Sequence, residues 1–246
     1  MVGSGGGASV MTVLVPPGPR AVGEVLQLPP TEVHHLRVRR ARAGDRVRVV
    51  NGEGLLGEGA LVGEAREGQV RLERVEHAAR PVPLQLAVGA GDRDRFGWLV
   101  EKAAELGVSD LIPLETERTA GVAARVRGEH VDKLQRRAFE ATKQCGAAWA
   151  PMVHLPHTIP ELVTRHRGEV AWLADPTGVP PRPARPVASL LVAVGPEGGF
   201  SAAERQLLLD AGFEPTRLGP YTLRFETAAL AAAVIGGSMR QDRHHD

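Results

Sequence analysis

Cysteine is nearly absent from this chain: Cys145 stands alone in 246 residues. One thiol excludes an intrachain disulfide framework and any metal site built on paired thiolates. Lysine is almost as scarce, with three among the 30 basic residues and arginine supplying the rest. Genomic base composition is the simplest source of that bias, although arginine is also the better fork for phosphate. Neither sign of charge is in excess. The formal net charge is +1, so a nucleic-acid partner has to be held by a local patch and not by the field of the whole molecule. No apolar run approaches the roughly 20 residues that cross a bilayer; Ala228–Gly237 is apolar but far too short. The N-terminus has no charged region followed by an apolar run, which argues against a signal peptide and for a cytoplasmic protein. Met1–Ser9, MVGSGGGAS, reads as a disordered tail. The histidines offer no metal-ligand spacing, so no metal is expected. Neither a Walker loop nor the G-x-G-x-x-G dinucleotide spacing occurs, and no serine sits in a nucleophile elbow.

What the chain does have is concentrated in Leu190–Ile235. Leu190–Val194 is uncharged and β-rich and predicts a buried strand. Gly195-Pro196-Glu197-Gly198-Gly199 cannot continue it, because proline lacks a donor and glycine permits turns and close approaches. Ser201 followed by Glu204 is a capping box that opens a helix. Gly212 closes that helix, and Glu214–Leu218 predicts a second strand. The loop Gly219-Pro220-Tyr221-Thr222-Leu223-Arg224 then leads through Thr227 into an apolar helix, Ala228–Ile235. Two glycine-bearing loops thus follow what read as two neighbouring strands, the place where an α/β sheet binds ligands. Such loops can hold an adenine and a ribose through main-chain hydrogen bonds, with no need of positive charge.

The rest of the chain divides by pattern. From Val10 to Arg80, short strand candidates at Met11–Val15, Glu24–Leu28, Asp45–Val50, Gly59–Glu64 and Gln69–Glu76 suggest a small β-barrel. A helix capped by Thr31 and running to about Arg40 interrupts them. After the linker Ala78–Pro83 the pattern becomes strand–helix alternation, which predicts a mostly parallel sheet covered on both faces. Its strands are Leu84–Gly89, Asp110–Leu114, Val170–Ala174 and Leu190–Val194; its helices are Arg93–Leu106, stopped by Gly107, and His130–Cys145. The proline-rich stretch Thr177–Ala188 reads as an irregular loop. The expected domains are therefore 1–9 as tail, 10–80 as barrel and 81–246 as an α/β domain.

Thr31–Val50 carries six arginines, 37, 39, 40, 42, 46 and 48, against Glu32 and Asp45, with His34 and His35 beside them. Such a patch can neutralise phosphates and position RNA without reading bases. Arg46 and Arg48 alternate with Val47 and Val49, so those two also fit the outer face of a strand. Arg224 and Glu226 flank Phe225 just before the last helix. They read as catalytic or, in the simpler case, as a helix start where an acid favours the dipole.

GPEGGFSAAE followed by LGPYTLRFETAALAA resembles the closing signature of the 16S ribosomal RNA uridine N3-methyltransferases of the SPOUT superfamily. His34-His35-Leu36 through Gly54, Asp92-Arg93 through Leu114, and Phe139–Pro151 are similar to other family segments in the same order. The resemblance spans nearly the whole chain past the tail. It implies an N-terminal PUA-like barrel that helps bind RNA through His34, His35, Arg37, Arg39, Arg40 and Arg42. It implies a C-terminal α/β domain tucked through a trefoil knot and a homodimer with its active site near the subunit interface. It also implies S-adenosylmethionine held by Gly195, Pro196, Glu197, Gly198 and Gly199, by Leu218, Gly219, Tyr221, Thr222, Leu223 and Arg224, and by Ala174 and Asp175 at a nearby strand end. Tyr221 stands where the family usually has arginine in its second loop, and Ala147 where it has another. In the implied reaction on the small ribosomal subunit, Arg224 stabilises negative charge on a uracil oxygen and Glu226 takes the N3 proton, with Glu197 as the competing base. Two other readings fit the same residues: an RNA methyltransferase with a different target base, and a non-catalytic RNA-binding member of the fold.

Overall fold

The structure, a computed structural model, describes residues 10–89, 91–119, 128–166, 170–181 and 187–239; the tail expected at Met1–Ser9 lies outside them. The chain forms two compact units, residues 1–80 with 142–149 and residues 81–141 with 150–246.

The first unit holds β1 (Met11–Leu14), β2 (Val25–Gln27), α1 (Pro30–Val38), β3 (Arg46–Val50), β4 (Leu55–Val62) and β5 (Gln69–His77). They form a curled sheet in the order β1-β3-β4-β5-β2, antiparallel except for β1 beside β3. Period-two alternation builds it. Val47 and Val49 of β3 turn inward to meet Leu55, Leu61, Val70 and Leu72, with Leu36 of α1 in the same cluster; Arg46 and Arg48 point out. The turn between β3 and β4 is made by Asn51, whose Oδ1 accepts from the amides of Glu53 (2.8 Å) and Leu55 (3.0 Å). Two local expectations are corrected. β4 begins at Leu55 and not at Gly59, because Gly57 and Gly59 occupy inward positions without a side chain and hide the alternation. Thr31 does not cap α1: Pro29 is the N-cap, no side chain caps the helix, and Pro30 supplies the preset φ that suits a first turn.

The second unit holds β6 (Leu84–Gly89), α2 (Arg93–Glu105), β7 (Asp110–Glu115), α3 (Glu129–Cys145, its last turn grouped with the first unit), β8 (Met152–Val153), β9 (His157–Thr158), α4 (Ile159–Arg165), β10 (Val170–Val179), β11 (Leu190–Val194), α5 (Ala202–Asp210), β12 (Glu214–Thr216) and α6 (Phe225–Ser238). The sheet order is β12-β10-β11-β6-β7-β8, with β9 beside β7, and every described pairing is parallel. Both faces are covered, as a parallel sheet requires. Leu84, Leu86, Leu190 and Val192 meet α2, α3 and α6 on one side. Ala87, Ile112, Leu191 and Ala193 meet Leu162 of α4 and Leu208 of α5 on the other.

Three expectations change here. β8, β9 and α4 were not anticipated: the strands are two residues long, although the Thr158–Glu161 capping box of α4 is legible in the sequence. α6 begins at Phe225, with Arg224 as N-cap, and not at Ala228. β10 does not end at Ala174. It bulges outward over Asp175–Gly178 and returns at Val179, so that Ala174 and Val179 both pair with Thr216, and Val179 accepts from the amide of Arg217 at 2.9 Å.

Candidate functional site

The strands that carry the two glycine loops are not neighbours: β10 lies between β11 and β12. Three strand ends therefore converge, and they wall one open cleft of ≈ 390 Å³. From β10 come Ala174 and Asp175, from the β11 loop Gly195–Gly199, and from the β12 loop Leu218, Gly219, Tyr221, Thr222 and Leu223. All of these were singled out in the sequence. Leu173, Pro176, Phe200, Arg205, Thr216 and Arg217 were not, yet they line the same cleft, as do Phe225 and Ala228 of α6. The bulge in β10 is the feature that local pattern could not reveal, and it brings Pro176 to the wall.

The β11 loop is a tight turn closed by the amide of Gly199 donating to Pro196 O at 2.7 Å. Gly199 has φ +69°, a conformation in which a side chain is strained. Pro196 lies so close to β6 that a Cβ on Gly89 would sit 2.6 Å from its ring and its nitrogen. The Arg118 guanidinium donates to Gly198 O from the chain after β7. The buried Glu204 fixes the start of α5 through its capping box with Ser201 and also accepts from Glu117 N at 2.8 Å.

Asp175 is the best-ordered acid in the cleft. Its Oδ1 accepts from Thr177 N (2.8 Å) and Thr177 Oγ1 (2.6 Å), and its Oδ2 from Arg205 Nη2 (2.8 Å) and Nε (3.0 Å). Burial opposes its charge, but the hydrogen bonds from Thr177 and Arg205 outweigh it and hold the carboxyl below the usual aspartate range. A cation and an anion thus neutralise one another, and the wall they leave is largely main chain.

Glu197 is exposed and lines the cleft. Arg224 is exposed at the start of α6, between the cleft-lining Leu223 and Phe225, but its side chain is not part of the wall. Glu226 is turned away: its Oε1 lies 3.7 Å from Arg95 Nη1 of α2, and its Oε2 is buried with no hydrogen-bond partner among the described residues. In the first unit His34, His35, Arg37, Arg39, Arg40 and Arg42 are all exposed. Five of them fall into two groups, and His34 lines neither hollow. Arg37, Arg40 and Arg42 share a shallow hollow with Arg66, and His35 and Arg39 share a second with Arg48 and Lys143. Arg46 is engaged with Glu58 and Glu73 at 3.6 and 3.0 Å. Among the described residues no cluster of histidine, cysteine and carboxylate side chains could hold a metal, and no helix is long and apolar enough to cross a membrane.

Residues 78–235 match the RNA methyltransferase domain, and residues 28–73 match the RNA methyltransferase PUA domain. The chain is 30% identical to the ribosomal RNA small subunit methyltransferase E of Aquifex aeolicus, over 87% of this chain and 94% of that one. It is 31% identical to the enzyme of the same name from Synechocystis, over 82% and 69% of the respective chains. It belongs to the ribosomal RNA small subunit methyltransferase E family. A member from Neisseria gonorrhoeae, solved bound to S-adenosyl methionine, superposes with a TM-score of 0.82 at 25% identity, covering 96% of this chain and 100% of that one. The Legionella pneumophila methyltransferase Lpg2936, solved with bound SAM, gives 0.78 at 27% identity over 93% and 97%. The methyltransferase E family thus accounts for both units, the curled sheet and the parallel sheet.

Proposed function

We propose that this protein transfers a methyl group from S-adenosylmethionine to N3 of a uridine in the 16S RNA of the small ribosomal subunit, acting in the cytoplasm as a homodimer. The observation that carries the reading is the convergence of the β10, β11 and β12 ends on one cleft. Its volume falls in the range of small-molecule sites, about 300–1,000 Å³. Gly195, Gly198, Gly199 and Gly219 leave main chain where side chains would otherwise line the wall. Arg205, one of the cleft's cations, is paired with Asp175, and no lysine lines it. That donor set suits a nucleoside without phosphates better than it suits ATP. Gly195–Gly199 and Leu218–Leu223 would hold the cofactor. When bound, S-adenosylmethionine supplies a methyl group on a positively charged sulfur that is a good leaving group.

The chain's own residues have the remaining tasks. They must fix the acceptor in line, an orientation effect that reaches about 7–11 kcal/mol. They must also favour the uracil anion, since N3 carries its proton at neutral pH. Arg224, exposed beside the cleft, is assigned to the developing charge on a uracil oxygen. Glu197 is assigned to receive the proton, directly or through water, because it is exposed and lines the cleft while Glu226 faces Arg95. The homodimer reading is supported by α6, whose stretch Ala228–Gly237 carries no polar side chain: Ala229, Ala232 and Ala233 are buried, yet Val234 on the outer side is 57% exposed.

The test is transfer of labelled methyl from S-adenosylmethionine to undermethylated small subunits, with nucleoside mass spectrometry to identify the product. N3-methyluridine is expected, and Arg224→Ala should lower kcat by about 10²–10³-fold with cofactor affinity kept. A different methylated nucleoside would overturn the target assignment. Full turnover by Arg224→Ala would overturn the role of that arginine.

A further inference from the structure

The first unit contains a hollow that the cofactor reading leaves unused. It measures ≈ 510 Å³ and lies beside α1 and β1. One wall is apolar, made by Met11, Val13, Leu36 and Val38; the other carries Arg39, Arg48 and Lys143. Glu32, only 2% exposed, forms part of the lining. Lys143 Nζ lies 2.8 Å from Glu32 Oε1 and 3.5 Å from His35 Nδ1, and His35 Nδ1 is 3.8 Å from the same Glu32 oxygen.

A carboxylate removed from water this completely is costly and is not by itself a strong stabiliser. Here its effect is geometric. It fixes the Lys143 ammonium and the His35 ring, two flexible groups that would otherwise sample many rotamers. Three cations face the hollow against one carboxylate, so an occupant carrying negative charge is favoured. The opposite wall offers apolar surface of the kind a flat aromatic ring covers.

We propose that this hollow receives one unstacked nucleotide of the RNA substrate, its base against Met11, Val13 and Val38 and its phosphate toward Arg39, Arg48 and Lys143. Base–side-chain contact of this kind tolerates any sequence, whereas the cations act on the backbone. The proposal rests on the RNA-methyltransferase reading and adds a second point of attachment remote from chemistry: the enzyme holds its substrate by a splayed nucleotide as well as by the reacting uridine.

The experiment uses the full chain and a short single-stranded RNA containing 4-thiouridine. Photocross-links are expected on Met11, His35 or Val38. The double variant Arg39→Ser/Arg48→Ser should lower the slope of log affinity against log salt by about 0.7 for each phosphate left without its arginine. Lys143→Met should weaken RNA binding about tenfold, roughly the effect of one charge-assisted hydrogen bond. Arg74→Ser, a charge-matched change at an exposed position, should leave the slope alone. If Lys143→Met fails to fold, the double variant and the cross-links still decide. Cross-links confined to other surfaces with an unchanged slope would overturn the proposal. Wild-type protein that methylates small subunits while the variants bind RNA normally would sink this inference alone. Wild-type protein that neither binds RNA nor transfers methyl would sink the reading beneath it.

Discussion

In the second unit the cleft at the ends of β10, β11 and β12 is walled by main chain and short loops, and its best-ordered acid, Asp175, is already paired with Arg205. In the first unit the hollow after α1 is lined by four long arginine side chains, Arg37, Arg40, Arg42 and Arg66, on a sheet whose core is complete without them. The two constructions should respond differently to substitution. A main-chain wall has no slack, because the backbone positions are set by the sheet, so one added carbon displaces the loop. A side-chain wall is graded: each arginine contributes a share of a screened, additive attraction. Specific small-molecule recognition calls for the first kind of wall, and holding a long polyanion in register calls for the second.

The contrast can be broken or sharpened by a short series of variants. The largest effect on stability is expected for Asp175→Asn, which removes the negative charge and sets an amide NH2, a donor, against the donors of either Arg205 or Thr177, and should cost about 1.5–3 kcal/mol at neutral pH. The sign with pH follows from the lowered pKa of the folded state. The stabilisation is fully present above the unfolded aspartate pKa, near 4, and is lost as pH falls through the folded value. Denaturant melts at pH 7 and at pH 3 should therefore show the gap between wild type and variant closing in acid.

Gly89→Ala comes next. Its Cβ would meet Pro196 at 2.6 Å, so it should cost about 1–3 kcal/mol as an overpacked site and weaken binding of S-adenosylhomocysteine in calorimetry. Unchanged cofactor affinity would break the claim that the wall has no slack. On the other side of the comparison, Arg37→Ser and Arg42→Ser should each lower the salt slope of single-stranded RNA binding by about 0.7 and leave thermal stability within about 0.5 kcal/mol.

A change of the opposite sign is expected at Arg40. It follows α1 with φ +55°, and the amides of Arg40 and Ala41 donate back to Arg37 O and Leu36 O at 3.0 Å, the pattern of a Schellman helix end. Glycine is the residue such a position favours. Arg40→Gly should therefore raise stability slightly, by up to about 1 kcal/mol, while reducing RNA affinity. A variant that binds RNA as well as wild type would show that the strained arginine serves no RNA contact.

Much of the second unit was legible because its elements announce themselves. β6 and β11 run between the same residues that their uncharged, β-rich stretches mark, and the Ser201–Glu204 capping box opens α5 as expected. Asn51-Gly52 likewise marked the turn between β3 and β4. The apparent loop Thr177–Ala188 hid the return of β10, since a bulge containing Pro176 and Gly178 carries breaker residues and no alternation. Arg205 escaped notice because its partner Asp175 is 30 residues away in the chain. Glu226 looked free for catalysis because its position before an apolar helix says nothing about Arg95 on α2.

By itself the sequence determined the β6 and β11 strands, the Asn51-Gly52 turn, the capped start of α5 and the two glycine loops, because those features depend on interactions among residues a few positions apart. Only the tertiary structure decided that β10 lies between β11 and β12, that three strand ends share one cleft, and that Lys143 meets Glu32 across 111 residues. Strand order and long-range ion pairs come from how the faces of whole elements pack, and no local pattern carries that information.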